Sequence, residues 1–199
     1  MSAVPPFDLI LASGSRYRAE LLARIAPHFR QIAAQIDETP RPGEPAPDLV
    51  VRLARSKAEA IATAHPGSIV IGSDQVAELD GAIVGKPGSV PAATAQLAAA
   101  SGQTVTFHTG LCVVDARRQP TRHHQAIDTT RVTFRALDAL QIARYLQREP
   151  VLDCAGSFKA EGLGIALFER IAADDPTALI GLPLIALCRL LAAIGVAVI

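Results

Sequence analysis

The chain has 199 residues, half of them apolar but only 4% aromatic, with 19 basic and 19 acidic side chains and no net charge. That length suits one substantial domain or two small lobes. The charge balance argues against a nucleic-acid binder, which shows a basic excess. Cys112, Cys154 and Cys188 are far apart and odd in number. This disfavours a disulfide framework or a zinc site and points to a reducing cytoplasm.

In chain order, Leu9–Ala12 reads as a buried strand running into Ser13-Gly14-Ser15. A helix is predicted from about Arg16 to Ile25, with Ser13 or Ser15 as its N-cap. Arg18 falls on the face of that helix defined by Leu21, Leu22 and Ile25. Near an N-terminus an arginine opposes the helix dipole, whereas a bound anion would gain from the dipole, the free N–H groups and Arg18 together. An ordinary cap accounts for the same residues.

Phe29–Ile36 is predicted as a second strand. Asp37–Pro47 is a loop, broken by Pro40, Pro42, Pro45 and Pro47. Glu38 lies in it, as half of a metal-binding acid pair with Asp37 or as a solvated loop acid. A helix follows from Pro47 to about Ala64. Val50, Leu53, Ala54, Ala58 and Ile61 make its apolar stripe, and Lys57 falls on that stripe, while Arg52, Arg55 and Glu59 read as solvated. An inward lysine must snorkel, pair with an acid or bind an anion.

Ser68–Ile71 is a β-branched strand ending at Gly72-Ser73-Asp74. Asp74 at a strand end suits a general base, a magnesium ligand or a turn cap. Val76–Leu79 and Ala82–Val84 flank Asp80-Gly81, a hairpin signal. Lys86 sits in the turn Gly85–Gly88. A helix at Ala92–Ala100, strands at Thr104–Val114 and His123–Phe134, a helix at Ala136–Gln147, a strand at Gly162–Ile171 and a last helix within Pro176–Ala193 complete the chain. The apolar tail is broken by Gly181, Pro183, Arg189 and Gly195, so a buried helix is expected rather than a membrane span. Intermixed helices, hairpins and crossovers predict an α/β fold with a mixed sheet. Neither a P-loop nor a dinucleotide-binding glycine motif is present. The histidines have no metal-ligand spacing. The cations Arg18, Lys57 and Lys86 and the acids Glu38 and Asp74 form the inventory of a magnesium–polyphosphate site.

The segments LILASGSRYRAELL, DETPRPGE, LARSKA, IGSDQVAELDGAIVGKPG, TFHTGL, CAGSFKAEGLGIALFERI and LIGLPLIAL resemble the Maf family of nucleoside triphosphate pyrophosphatases. The resemblance is collinear from Leu9 to Leu191. GSDQV together with AGSFKAEG is similar to the branch that hydrolyses 7-methyl-GTP; the pyrimidine branch usually has Gly-Ala-Asp-Thr, and glutamine where Glu161 stands. The resemblance implies a single Maf-like domain over residues 1–199, with a curved mixed sheet, flanking helices and two lobes around a cleft, similar to inosine triphosphatases. It implies a proton acceptor at Asp74, catalytic lysines at Lys57 and Lys86, polar cleft residues at Ser13, Arg18 and Glu38, and base selection by Tyr17, Gln75 and Glu161. Glu38 and Asp74 are the implied ligands of a divalent metal, magnesium with manganese as its substitute.

The implied partner is a small-molecule nucleotide, with neither nucleic acid nor membrane; dimers are common in the family, which leaves a homodimer open. Two other readings stay open: a dTTP/UTP pyrophosphatase of the same fold, and a non-catalytic nucleotide-binding regulator of septation. The family commonly has Ser-Pro where this chain has Ser15-Arg16, and the branch often has tryptophan at Tyr17. Arg16 has no implied task and is expected to be exposed. An N7-methylated guanine is cationic, so an aromatic face at Tyr17 and a carboxylate at Glu161 would both favour it.

Overall fold

The computed structural model describes residues 7–199. Its strands are β1 (Asp8–Leu11), β2 (Arg30–Gln31), β3 (Ser68–Leu79), β4 (Ala82–Val84), β5 (Thr104–Asp115), β6 (Arg122–Phe134) and β7 (Phe168–Ala172). Its helices are α1 (Arg16–Ala23), α2 (Ala46–Ala64), α3 (Val90–Ala100), α4 (Ala139–Arg148) and α5 (Leu184–Ala193). Hydrogen bonding orders the strands β2-β1-β3-β5-β6-β7, with β4 on β3. The sheet is mixed: β1 is parallel to β2 and β3, whereas β4 and β7 pair antiparallel with β3 and β6. The expected α/β class is therefore the observed one.

The residues pack as two compact units. The first comprises the described residues up to Asp74, Thr109–Asp128 and Asp175–Ile199; the second comprises Gln75–His108 and Thr129–Asp174. β3, β5 and β6 contribute residues to both.

In the first unit, strand alternation divides the apolar residues between two faces. Leu9, Leu11, Ile69, Ile71, Leu111 and Val113 pack with Leu21 and Leu22 of α1 and with Leu184, Leu187 and Leu191 of α5. Ile10, Val70, Cys112 and Val114 pack with Ala54, Ala58, Ile61 and Ala62 of α2. Both faces are covered, so these strands read as continuous apolar runs rather than as alternating ones. Two glycines let α2 come close. A Cβ on Gly72 would lie 2.1 Å from the Ala54 carbonyl oxygen, and one on Gly110 would lie 2.3 Å from the Val50 carbonyl oxygen. Each fully buried Val or Leu on such a helix contributes about 1.5–3 kcal/mol. No helix among the described residues is long and apolar enough to cross a membrane.

The second unit is centred on Phe107, Phe134, Phe158 and Phe168, whose rings meet edge-to-face at centroid separations from 4.7 to 5.6 Å. The Asp80-Gly81 turn has φ of 49° and 77°, the left-handed pair that a tight hairpin turn demands. A capping box at Asp138 and Gln141 starts α4.

Three sequence expectations change. The second strand shrinks from Phe29–Ile36 to two residues, because β1 ends at Leu11 and its chain turns away at Ser13, ending the ladder. Ser68–Leu79 is one strand of 12 residues, not two. Gly72 acts there as a close-approach site for α2 rather than as a breaker. Most of Gly162–Leu167 is tight helical turn, and β7 begins only at Phe168.

Candidate functional site

The candidate residues of the first unit gather around Lys57 and Arg18. The amphipathic period of α2 carries Lys57 inward with Leu53, Ala54 and Ala58, and it is buried as the stripe predicts, 7% exposed. Its Nζ donates to Asp74 Oδ1 at 2.6 Å and lies 3.0 Å from Glu38 Oε1. Asp74 is equally buried, 7% exposed, and lies within β3 rather than at a strand end. Two charges removed from water persist only when paired, and here each has its partner.

Ser15 caps α1, its Oγ accepting from Arg18 N at 3.4 Å. Ser13 is buried, and its Oγ accepts from Ser15 N at 3.1 Å and from Arg18 Nη1 at 3.3 Å. Of the two serines expected as the cap, Ser15 is the one that fills it, while Ser13 holds the Ser15 backbone and the Arg18 guanidinium. Arg18 Nε donates to the Gly181 carbonyl at 2.8 Å. Burial lowers the Arg18 pKa, while Asp74 and Glu38 raise it; a guanidinium stays charged throughout.

Ser73, given no role from the sequence, belongs to this frame. Fully buried, its Oγ donates to the carbonyls of Gly181 at 2.8 Å and Gly110 at 2.9 Å. The Gly181 oxygen therefore accepts from both Arg18 and Ser73. Gly181 has φ of 119°, and a Cβ there would lie 3.2 Å from Arg18 Nε. The signal available was a serine inside a run of buried residues, which needs an acceptor.

Arg52 was expected to be solvated. Instead it grips Glu44 through Nε at 2.5 Å and Nη2 at 2.7 Å, and Nη2 also reaches the Thr39 carbonyl. Glu44 Oε2 accepts from Arg41 N at 3.0 Å as well. Together these hydrogen bonds hold the Glu44 carboxyl down to about 2. They tie the proline-rich loop carrying Glu38 to α2, the helix carrying Lys57. Arg16 is exposed, as expected. Its Nη2 donates to the Tyr17 hydroxyl at 2.9 Å and its guanidinium lies 4.7 Å over the half-buried Tyr17 ring. One face of that ring therefore already holds a cation.

The remaining candidates, Gln75, Lys86 and Glu161, belong to the second unit. Gln75 is half-buried and follows Asp74 in β3; Lys86 is exposed after β4, and Glu161 is exposed in the turn before Leu163. His108 is buried in the same unit, with Nδ1 3.3 Å from Thr129 Oγ1. Cys154 is held at about 12 by burial, so it is a poor nucleophile.

Among the described residues no group of three or more His, Cys, Asp or Glu side chains is arranged to hold a metal ion. Asp74 and Glu38 instead offer two hard carboxylates meeting at one ammonium. That donor set fits an ion such as magnesium, which takes one or two carboxylates and completes its shell with phosphate oxygens and water. The two cations and two acids of the cluster balance, so a polyphosphate would bring charge that a divalent ion offsets.

A family model described as Maf-like protein matches residues 8–194. A relative from Xanthomonas oryzae pv. oryzae (strain MAFF 311018), named 7-methyl-GTP pyrophosphatase, is 54% identical over 187 residues, 94% of this chain and 96% of that one. A relative of the same name from Ralstonia nicotianae is 55% identical, covering 94% of each chain. A third, from Bordetella pertussis, is 52% identical over 98% of this chain and 96% of its own. Among solved structures, a HAM1 protein from Coxiella burnetii aligns with a TM-score of 0.51 at 17% identity over 95% of this chain and 98% of that one. That likeness concerns the fold alone.

Proposed function

The chain belongs to the Maf-like family, and we propose that it is a nucleoside triphosphate pyrophosphatase acting on 7-methyl-GTP, releasing the nucleoside monophosphate and pyrophosphate. The observation that carries this reading is the convergence of the buried Asp74 and the exposed Glu38 on the buried Lys57. The relatives' name, 7-methyl-GTP pyrophosphatase, supports the base.

In this reading water attacks the α-phosphorus and the α–β anhydride bond breaks, with pyrophosphate leaving. Asp74 accepts the proton of the attacking water, oriented by the hydrogen bond from Lys57. Lys57 and Arg18 face the phosphate oxygens as negative charge grows on them, and Lys86 supplies a third cation. Ser13 holds the Arg18 guanidinium in place. Magnesium bound by Glu38 and Asp74 would supply further charge stabilisation of the phosphates. Tyr17, Gln75 and Glu161 select the base, Glu161 by accepting from the guanine edge. The three free thiols suit a reducing compartment, and we place the enzyme in the cytoplasm, removing modified nucleotides before incorporation.

The test is a panel of nucleoside triphosphates with magnesium, read by pyrophosphate release, alongside Asp74→Asn. The expected result is preference for 7-methyl-GTP and a loss of about 10²- to 10⁴-fold in the variant. Binding without turnover refutes the enzyme, and preference for dTTP or UTP refutes the base assignment.

A further inference from the structure

Glu161 is exposed in a turn, yet the segment on either side of it is closely constrained. Lys159 is 7% exposed, and its backbone N–H donates to the Tyr145 hydroxyl at 3.2 Å. On the far side, Leu163 N donates to Glu149 Oε2 at 2.8 Å. The other carboxylate oxygen, Glu149 Oε1, lies 3.8 Å from Lys159 Nζ. One side chain at the end of α4 thus hydrogen-bonds the residue two after Glu161 and stands within ion-pair range of the residue two before it. The glycines on either side of Leu163 are both sites of close approach. A Cβ on Gly162 would lie 2.6 Å from Glu149 Oε2, and one on Gly164 would lie 2.3 Å from the Lys159 carbonyl oxygen. Glu149 is itself largely buried, its side chain 16% exposed.

A carboxylate placed in this way bears on the chain on both sides of Glu161. A base-recognising acid at the tip must present its oxygens in one place, and that requires its flanking backbone to be fixed. We propose that Glu149 is a positioning residue for base selection, acting through Glu161 by clamping Lys159 and Leu163. The proposal rests on the reading of Glu161 as the guanine-recognising group.

The test compares Glu149→Ala, Glu149→Gln, Glu161→Gln and the double variant Glu149→Ala/Glu161→Gln, with 7-methyl-GTP and GTP as substrates. Glu149→Ala is expected to lower the ratio of kcat/KM for 7-methyl-GTP over GTP about tenfold, carried by KM, the size expected when one buried hydrogen bond is lost. Glu149→Gln keeps an acceptor for Leu163 N and should retain most of that selectivity. The double variant should be no less selective than Glu161→Gln alone, because the first residue acts through the second. Amide exchange at Leu163 should quicken in Glu149→Ala, reporting the clamp even in a poorly active variant. Selectivity that survives Glu149→Ala, losses that multiply in the double variant, or unchanged exchange at Leu163 would each overturn the proposal. If the unsubstituted enzyme shows no preference for the methylated base, Glu161 loses its assigned role and the proposal falls with it. That result is visible before any Glu149 variant is made, so the two failures are distinct.

Discussion

Replacing Gly72 by alanine tests how the first unit sets its central ion pair. The added Cβ would lie 2.1 Å from the Ala54 carbonyl oxygen and 2.9 Å from both Ala58 N and Ala58 Cβ. Ordinary contact begins at 3.4 Å, so 3.4 Å less 2.1 Å leaves a shortfall of about 1.3 Å at helix backbone. No flexible side chain can absorb it; α2 must move away from β3. Overpacking of this kind costs about 1–3 kcal/mol. For a chain of this length that lowers Tm by roughly 2–12 °C. Lys57 rides on the displaced turn, between Ala54 and Ala58, so its 2.6 Å hydrogen bond to Asp74 should stretch past bonding range. A misplacement near 1 Å at reacting groups costs up to about 10²-fold in rate. The assay pairs thermal unfolding with kcat/KM for 7-methyl-GTP, measured well below the transition. Gly85→Ala is the control. Its Cβ would meet nothing within 4 Å, and the effect should stay within about 0.5 kcal/mol. A Gly72→Ala protein with unchanged Tm, or with lowered Tm but undiminished activity, would refute the argument that this backbone contact sets the Lys57–Asp74 geometry.

Lys57→Met leaves Asp74 buried without its partner and should destabilise by about 3–5 kcal/mol; Lys57→Met with Asp74→Asn should recover much of that stability in denaturant melts while remaining inactive. Glu44 is depressed from 4.5 to about 2 by Arg52. Its bridge is therefore complete above pH 4.5 and drains away as pH falls towards 2. Corrected for intrinsic rates, amide exchange across residues 39–44 should be flat from pH 8 to about pH 5 and rise below about pH 4; Glu44→Gln should raise it across the flat range. Burial holds the Cys112 and Cys154 thiols at about 12 and raises that of Cys188. Native protein at pH 8 should take up iodoacetamide slowly and denatured protein quickly, and rapid labelling of the native chain would contradict the packing described.

Elements whose cause is local were legible in the sequence. The 3.6-residue period of α2 needs only its own residues, so Lys57 could be placed on the buried stripe. Asp80-Gly81 is a turn because of the left-handed conformation it tolerates, again a local matter. A serine before Arg16, Ser15, caps the helix by reaching the backbone three residues on. The motif segments then connected these residues to a family, and with it to a phosphate chemistry. What the sequence could not settle depends on partners distant along the chain. Gly72-Ser73-Asp74 looks like a strand end; it lies within a long strand because β1 pairs before it, β4 after it, and α2 needs a residue without a Cβ there. Phe29–Ile36 has strand composition, but an edge strand extends only as far as its neighbour, and β1 ends at Leu11. Arg52 and Ser73 give no local sign of Glu44 or Gly181, and Glu149 gives none of the turn it holds. Periodicity reports which face of an element is buried; only the packed chain decides which polar groups meet there, because a hydrogen bond demands a donor and an acceptor within about 3 Å whatever their separation in sequence.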